Sequence, residues 1–115
     1  MIALTQPNLP AFTQLSLLGG HVRIDFCDIV FIEGQGNYTK FHTREGQRIL
    51  TSKSLSFYRE TLPAEFLRVH KSYFVNSLFI KALDKEVVLL TNEVSIPVSR
   101  RRRREIKLQT SLQKI

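Results

Sequence analysis

The chain has 115 residues, which is the size of one folded domain, and a formal net charge of +7 at pH 7. Its single cysteine, Cys27, excludes an internal disulfide and a cysteine-based zinc cluster within one chain. No run approaches the roughly 20 apolar residues of a membrane span, and the start MIALTQPNLP lacks the pattern of a signal peptide. We therefore expect a cytoplasmic protein with no membrane association.

The first half of the chain predicts paired strands. Residues 1–13 contain Pro7 and Pro10 without a sustained period, so they are expected to be a linker or the edge of an excised domain, and the domain itself is expected over residues 14–115. LSLL and HVRIDF predict a hairpin around Gly19-Gly20, and IVFIE and YTKFHT predict a second pair of strands. In YTKFHT the alternation places Tyr38, Lys40 and His42 on one face, opposite Thr39 and Phe41, and RILT adds a further strand.

The second half predicts helices at two places. Apolar residues three or four apart over 55–62 predict a helix of two to three turns that begins at Ser52 or Ser54 and ends at Pro63. FLRV, IKAL, EVVLL and VSIPV predict strands, the last at a sheet edge because of Pro97, whereas SYFVN fits either an extended stretch or one helical turn. Ser99 caps a predicted final helix. The fold class is mainly β with two short α-helices.

Most of the net positive charge lies in the last 17 residues. Residues 1–98 have a net charge of +1, and residues 99–115 have a net charge of +6. The run Arg100 to Arg104 would open the final helix, where the helix dipole disfavours cations and neighbouring arginines repel one another. Phosphate groups would compensate for both effects, so this run indicates a polyanionic partner.

Hydrogen-bonding residues that could read bases are concentrated in RVHKSYFVN. Arg68, His70, Lys71 and Asn76 are interspersed there among apolar residues. Asparagine can pair with adenine in the major groove and arginine with guanine. The alternative for Asn76 is that its amide caps the turn before SLFI, and the sequence leaves both interpretations open.

The chain resembles the LytTR-type DNA-binding domain, through DIVFIEGQGNY, FLRVHKSYFVN and the ending IPVSR, over roughly residues 14–110. The resemblance implies an elongated LytTR-like β fold of several small antiparallel sheets, which enters successive major grooves with loops. It implies base contacts from Tyr38, Thr39, Lys40, Asn76 and Arg100. Phosphate contacts are implied for His70, Lys71, Arg101, Arg102, Arg103 and Arg104.

The same resemblance implies sequence-specific binding of double-stranded DNA in bacterial transcription regulation, with no cofactor. Members often follow a receiver domain of a two-component response regulator, for which this chain has no room, and two copies bind paired direct repeats. The variable residues Thr39 and Lys40 and the long arginine run depart from the family's pattern, so the resemblance leaves the target sequence open.

Three other classes of function compete with DNA binding. One of them, a protein-interaction module, would need an exposed apolar patch, which a sequence does not reveal. An enzyme is not expected, because His21, His42 and His70 are isolated and the chain has no HExxH, GxSxG or GxxxxGK motif. A small RNA-binding β module is the stronger alternative, since it would also have a basic tail and aromatic residues on which bases stack. That alternative requires an open aromatic face, whereas the alternation of the aromatic residues favours their burial.

Overall fold

The computed structural model describes residues 14–103 and is mainly β. Ten strands occur in chain order, together with one helix, α1, at Leu55–Arg59. The first five strands are β1 Gln14–Leu17, β2 Val22–Asp25, β3 Ile29–Gln35, β4 Tyr38–Thr43 and β5 Arg48–Thr51. The other five are β6 Phe66–His70, β7 Tyr73–Asn76, β8 Ile80–Leu83, β9 Val87–Leu90 and β10 Ser95–Pro97.

A second helix, α2, begins after Ser99. Residues 100–103 are the helical residues that the structure describes there. The Ser99 hydroxyl accepts a hydrogen bond from the backbone N–H of Arg102 at 3.3 Å, which is the geometry of an N-cap. The predicted cap is therefore confirmed, and the remainder of the predicted helix, with Arg104, lies outside the described residues.

The strands form three antiparallel sheets. The largest has five strands in the order β5-β4-β3-β7-β6, a second has three strands in the order β10-β9-β8, and β1 and β2 form a hairpin. The described residues extend over 40 × 37 × 24 Å, so the unit is flattened and only slightly longer than it is wide. The predicted fold class, mainly β with several small antiparallel sheets and two short helices, is confirmed.

Two apolar clusters lie on opposite faces of the five-stranded sheet. One contains Ile32, Phe41 and Phe74 from the sheet together with residues of the β1–β2 hairpin and α1. The other contains Phe31, Leu67 and Val75 together with Val88 of the three-stranded sheet. Because successive residues of a strand point to opposite faces, β3 contributes Phe31 to one cluster and Ile32 to the other.

The helix α1 is shorter than predicted. It spans five residues, and Ser54 precedes it without a side-chain capping hydrogen bond. The helix buries Leu55 and Tyr58, and Leu55 lies directly over Gly34 of β3, where an added Cβ would be 3.0 Å from the Leu55 Cβ. A residue larger than glycine would push the helix away from the sheet.

Other expectations from the sequence have clear outcomes. SYFVN, which the pattern left open, forms strand β7 in the centre of the sheet. Pro97 lies on β10, an edge strand, as predicted. Cys27, the single cysteine, is exposed in a 3-10 turn.

Candidate nucleic-acid interface

Two turns meet at one end of the five-stranded sheet. β3 pairs antiparallel with both β4 and β7, so the β3–β4 turn and the β6–β7 turn lie at the same end. The backbone N–H of Gly34 donates to the carbonyl of Ser72 at 2.8 Å and fixes one turn against the other. Tyr38 follows the first turn, and His70 and Lys71 lie at the second.

The segment after β10 joins this end of the sheet through backbone hydrogen bonds. The N–H of Ser99 donates to the carbonyl of Val69 on β6 at 2.8 Å, and the N–H of Val98 donates to the carbonyl of Glu86 at 2.8 Å. Because Ser99 then begins α2, Arg100 emerges beside His70. We call this region, defined by Tyr38, His70, Lys71 and Arg100, the contact end.

A mostly basic cleft of about 680 Å³ lies at the contact end. His70, Lys85, Arg100 and Arg103 line it, with Glu86 as an acidic lining residue. The Arg103 guanidinium donates to the Lys85 carbonyl at 2.9 Å, which ties α2 to the β8–β9 turn. Such a concentration of cations attracts polyanions, whose phosphate oxygens accept charge-assisted hydrogen bonds.

Two side chains of β6, the strand that precedes it, hold the β6–β7 turn in place. The guanidinium of Arg68 donates to the carbonyl of Lys71 at 2.6 Å, and Nδ1 of His70 accepts the N–H of Ser72 at 3.1 Å. Desolvation by burial lowers the pKa of Arg68, and the charges of Arg102 and Arg59 lower it further. The Lys71 side chain is exposed on this fixed turn.

Tyr38 and Lys40 lie on the outer face of β4. Tyr38 is 52% exposed, and its ring is therefore available at the contact end. Lys40 lies two residues farther from the β3–β4 turn than Tyr38 does. Its side chain is partly buried and lies opposite Glu33 of β3. The predicted alternation along β4 is confirmed, because Thr39 and Phe41 both point inward.

Thr39 lies in the interior, and the structure corrects its prediction as a base contact. Its side chain is 0% exposed, and its hydroxyl donates to the carbonyl of Lys53 at 2.6 Å. The Thr39 carbonyl in turn accepts the Thr51 hydroxyl at 3.3 Å. The residue lies next to Tyr38 in the sequence but faces the other side of the strand, so it cannot reach a base.

Asn76 is also buried, and the structure corrects its prediction as a base contact too. It is 1% exposed and lies at the far end of β7 from Lys71. Its amide nitrogen donates to the carbonyls of Phe26 at 3.2 Å and Ile29 at 2.9 Å, and its amide oxygen accepts the N–H of Leu78 at 3.0 Å. The capping interpretation is confirmed, since the Leu78 bond caps the 3-10 turn at Ser77–Phe79.

The arginine run reaches the contact end from α2. Arg100 and Arg101 are exposed, whereas Arg102 and Arg103 are partly buried. The Arg103 guanidinium bonds to the carbonyl of Lys85, and the phosphate contacts of this run stay a prediction. Arg104, which was predicted to be a further phosphate contact, lies outside the described residues.

Sequence reasoning did not identify Lys85 and Glu86 as residues of the cleft. Both are exposed on the β8–β9 turn, 15 and 14 residues before Arg100 in the sequence, and no motif marks them. The pairing of β9 with β10 could have identified them, because the register Pro97 with Val87 brings the next residue, Val98, beside Glu86.

Most aromatic side chains of residues 14–103 are not exposed. Phe41, Tyr58 and Phe74 are buried, which matches the burial that alternation predicted, and Tyr73 is partly exposed. Two aromatic side chains of the described residues are more than half exposed: Tyr38, which begins β4, at 52%, and Phe57 on α1 at 57%.

Residues 14–103 contain no group of three or more His, Cys, Asp or Glu side chains placed to hold a metal ion. Among the same residues, no helix has the length and apolar character needed to cross a membrane.

The fold and the contact end define a small β-rich domain with a basic surface built from turns. The sequence profile of the LytTr DNA-binding domain family matches residues 19–111, and the chain belongs to this family. A solved LytTr DNA-binding domain from Bacillus cereus superposes with a TM-score of 0.70 at 21% identity, covering 83% of this chain and 94% of that one. At 21% sequence identity, this similarity shows that the two domains share a fold.

Two regulators are similar to the chain in sequence. The CO-responsive transcriptional regulator RcoM of Rhodospirillum rubrum is 31% identical over an alignment of 83 residues, and the match covers 70% of this chain and 35% of that protein. The heme-containing CO-sensing transcriptional regulator RcoM 2 of Paraburkholderia xenovorans is 33% identical over an alignment of 93 residues, and the match covers 75% of this chain and 34% of that protein. The chain spans about a third of the length of these relatives.

Proposed function

We propose that the chain binds double-stranded DNA sequence-specifically, through the contact end, as the output part of a bacterial transcriptional regulator. The observation that carries the proposal is the convergence of exposed polar side chains from three separate segments on one end of a rigid sheet. Two backbone hydrogen bonds, from Gly34 to Ser72 and from Ser99 to Val69, fix these segments against one another. A cytoplasmic location belongs to the proposal, because bacterial DNA lies there.

The contact end divides into base-reading and phosphate-binding residues. Arg100 is exposed beside the cleft and can present its guanidinium bidentately to guanine, which is worth about 1–3 kcal/mol of discrimination. Tyr38 and Lys40 supply the second base-reading segment. Phosphate contacts come from His70, Lys71, Arg101, Arg102, Arg103 and Arg104.

The regulatory context is a further part of the proposal. Two copies of the domain bind paired direct repeats, with turns rather than a recognition helix entering the major groove. A receiver domain of a two-component response regulator, outside this chain, would control how the two copies pair on the DNA. The similar RcoM proteins are described as CO-responsive or CO-sensing regulators, and this chain spans about a third of their length. The alternative to a receiver domain is therefore a sensor domain of another kind that controls DNA binding.

A selection of bound duplexes from a random pool, at two salt concentrations, tests the proposal. We expect one enriched motif that occurs twice in the same orientation, with selectivity kept at the higher salt concentration. Binding that is lost equally for all sequences would indicate phosphate attraction alone, since phosphate contacts carry no sequence information. Stronger competition by single-stranded RNA than by any duplex would support the RNA-binding alternative.

Three matched variants separate the roles of the basic residues. Arg100→Ala should reduce the preference for the selected motif, by about 10- to 100-fold for one lost bidentate contact. Lys71→Ala should weaken all duplexes alike and reduce the salt slope by about one unit. Arg23→Ala, an exposed arginine on β2, removes the same charge as Arg100→Ala outside the cleft and should change neither preference nor affinity by more than about twofold. An equal loss for Arg23→Ala would mean that net charge, and not the contact end, determines binding.

A further inference from the structure

We propose that Glu86 reads a base: its carboxylate accepts a hydrogen bond from the N4 amino group of a cytosine in the major groove, close to the guanine proposed for Arg100. The inference rests on the proposed function and deepens it, because it adds a base specificity from the β8–β9 turn, a segment that no sequence motif marks. The observation behind it is an exposed acidic side chain on a residue that lines the basic cleft together with Arg100.

Two hydrogen bonds fix the β8–β9 turn to the segment that carries Arg100. The N–H of Val98 donates to the carbonyl of Glu86 at 2.8 Å, and the Arg103 guanidinium donates to the carbonyl of Lys85 at 2.9 Å. Two successive carbonyls of the turn are therefore tied to residues on either side of Arg100. Neither bond uses the side chain of Glu86 or of Arg100, so both side chains project from a fixed framework.

The turn is also closed by hydrogen bonds of its own. The N–H of Asp84 donates to the carbonyl of Val87 at 2.9 Å, and the Asp84 carboxylate accepts the N–H of Lys85 at 2.7 Å. The Glu86 side chain is thus presented from a preorganised turn, which lowers the entropic cost of binding.

The acidic side chain of Glu86 does not neutralise the arginines of the cleft. The ion pairs within residues 14–103 are His42–Glu33, Arg44–Asp28 and Lys81–Glu93, and none of them includes a residue of the cleft. A cleft that bound only phosphates would bind them more tightly without a carboxylate, because like charges repel. An acidic residue at this place therefore indicates a ligand group that donates a hydrogen bond.

Two bases offer such a donor in the major groove, and cytosine fits a carboxylate better than adenine does. Cytosine presents its N4 amino group, whereas adenine presents its N6 amino group beside the N7 acceptor, which repels the second carboxylate oxygen. Guanine presents N7 and O6 and thymine presents O4, which are all acceptors. A carboxylate on Glu86 therefore selects cytosine and disfavours guanine and thymine.

The backbone geometry limits where this cytosine lies relative to the guanine of Arg100. Val98 and Glu86 are joined by a backbone hydrogen bond, as residues of neighbouring strands about 5 Å apart are. Arg100 follows Val98 by two residues. Since successive nucleotides of one strand are about 3.4 Å apart, the two side chains should reach base pairs within about three steps of each other.

Selection of bound duplexes from a random pool, with the full original chain and with two variants, tests the proposal. The original chain should select a cytosine within about three base pairs of the guanine whose preference Arg100→Ala removes. Glu86→Gln should replace cytosine by adenine at that one position, because a glutamine amide can bond bidentately to adenine N6 and N7. Measured on two duplexes that differ only there, the preference for cytosine should fall by about 5- to 20-fold.

Asp84→Asn is the matched control. It removes the same charge from the same turn outside the cleft, and it retains an oxygen that can accept the N–H of Lys85. It should leave the cytosine preference unchanged. The melting temperatures of both variants should stay within a few degrees of the original, since both substitutions replace exposed side chains.

Several results would overturn the proposal. An unchanged motif in Glu86→Gln, with both variants binding all duplexes more tightly to the same extent, would show that Glu86 contributes only surface charge. Loss of the guanine preference in Glu86→Gln would show that Glu86 positions Arg100 and does not read a base. An enriched motif without the cytosine refutes this inference alone, whereas no enriched motif for the original chain refutes the proposed function and this inference together.

Discussion

Replacing Asn76 by alanine should destabilise the domain strongly. The substitution removes three hydrogen bonds, two of them buried and one part-buried. The carbonyl of Ile29 and the N–H of Leu78 lose this partner, whereas the carbonyl of Phe26 still accepts the N–H of Ile29. A buried polar group left unpaired costs about 1–3 kcal/mol, and relaxation or water entry recovers part of this cost. We therefore expect the free energy of unfolding to fall by about 3–5 kcal/mol, a large part of the roughly 5–15 kcal/mol typical of a domain.

Urea unfolding followed by far-ultraviolet circular dichroism measures this loss; the chain contains no tryptophan to serve as a fluorescent probe. With a slope of roughly 1–3 kcal/mol per molar urea for a small protein, the midpoint should fall by about 1–5 M. Asn76→Asp should be at least as destabilising at neutral pH, because one carboxylate oxygen would then face the two carbonyl oxygens. Asn37→Ala, at an exposed position of the β3–β4 turn, is the control and should change stability by less than about 0.5 kcal/mol.

The opposite result would refute the reasoning about Asn76. If Asn76→Ala lowered the midpoint by less than about 0.5 M and still abolished the preference for one duplex, Asn76 would read bases in a conformation other than the one described.

Three further predictions follow from single contacts. Gly34→Ala should lower stability by about 1–2 kcal/mol, measured by urea unfolding, since its Cβ would press on Leu55; unchanged stability would show that α1 can shift freely. Thr39→Val removes the hydrogen bond to Lys53 and should cost about 1–2 kcal/mol with the selected DNA motif unchanged; an altered motif would restore Thr39 as a contact. Burial lowers the pKa of His42. When the pH drops below about 6.5, the unfolded chain therefore takes up a proton before the folded one does. The free energy of unfolding should consequently decrease as the pH decreases. Urea unfolding at pH 7.5 and 5.5 should show a smaller fall for His42→Gln, and an equal fall would place the titration elsewhere.

The strands could be predicted from the sequence because each has a local signal. Gly19-Gly20 and Glu45-Gly46 mark turns, and alternation along YTKFHT assigns the faces of β4. SYFVN was ambiguous because its apolar residues are contiguous. Its position as a central strand depends on pairing with β3 and β6, which no local pattern encodes.

The length of α1 was overestimated for a similar reason. Leu62 continues the apolar spacing of the helix, but the helix ends at Arg59, and the carbonyl of Tyr58 accepts both the N–H and the hydroxyl of Thr61. A threonine side chain can thus close a turn that periodicity alone extends into a longer helix.

The candidate site could be predicted in part, and the errors share one cause. Asn76 ends a strand and Arg100 lies shortly after one, and base-pairing chemistry favours each. Their difference is tertiary: the Asn76 amide bonds to the carbonyls of Phe26 and Ile29, which are distant in sequence, whereas Arg100 emerges where α2 begins beside β6. Lys85 was missed because its place in the cleft depends on the β9–β10 pairing.

The hydrogen bonds of the contact end explain how binding specificity could change without loss of the fold. The Gly34–Ser72 and Ser99–Val69 bonds join backbone atoms and are therefore indifferent to the exposed side chains nearby. Tyr38 and Arg100 project from this framework without being part of it. Substitutions there should alter DNA preference at little cost in stability, whereas substitution of Asn76 should do the reverse. This separation between stability and binding follows from which atoms make the bonds.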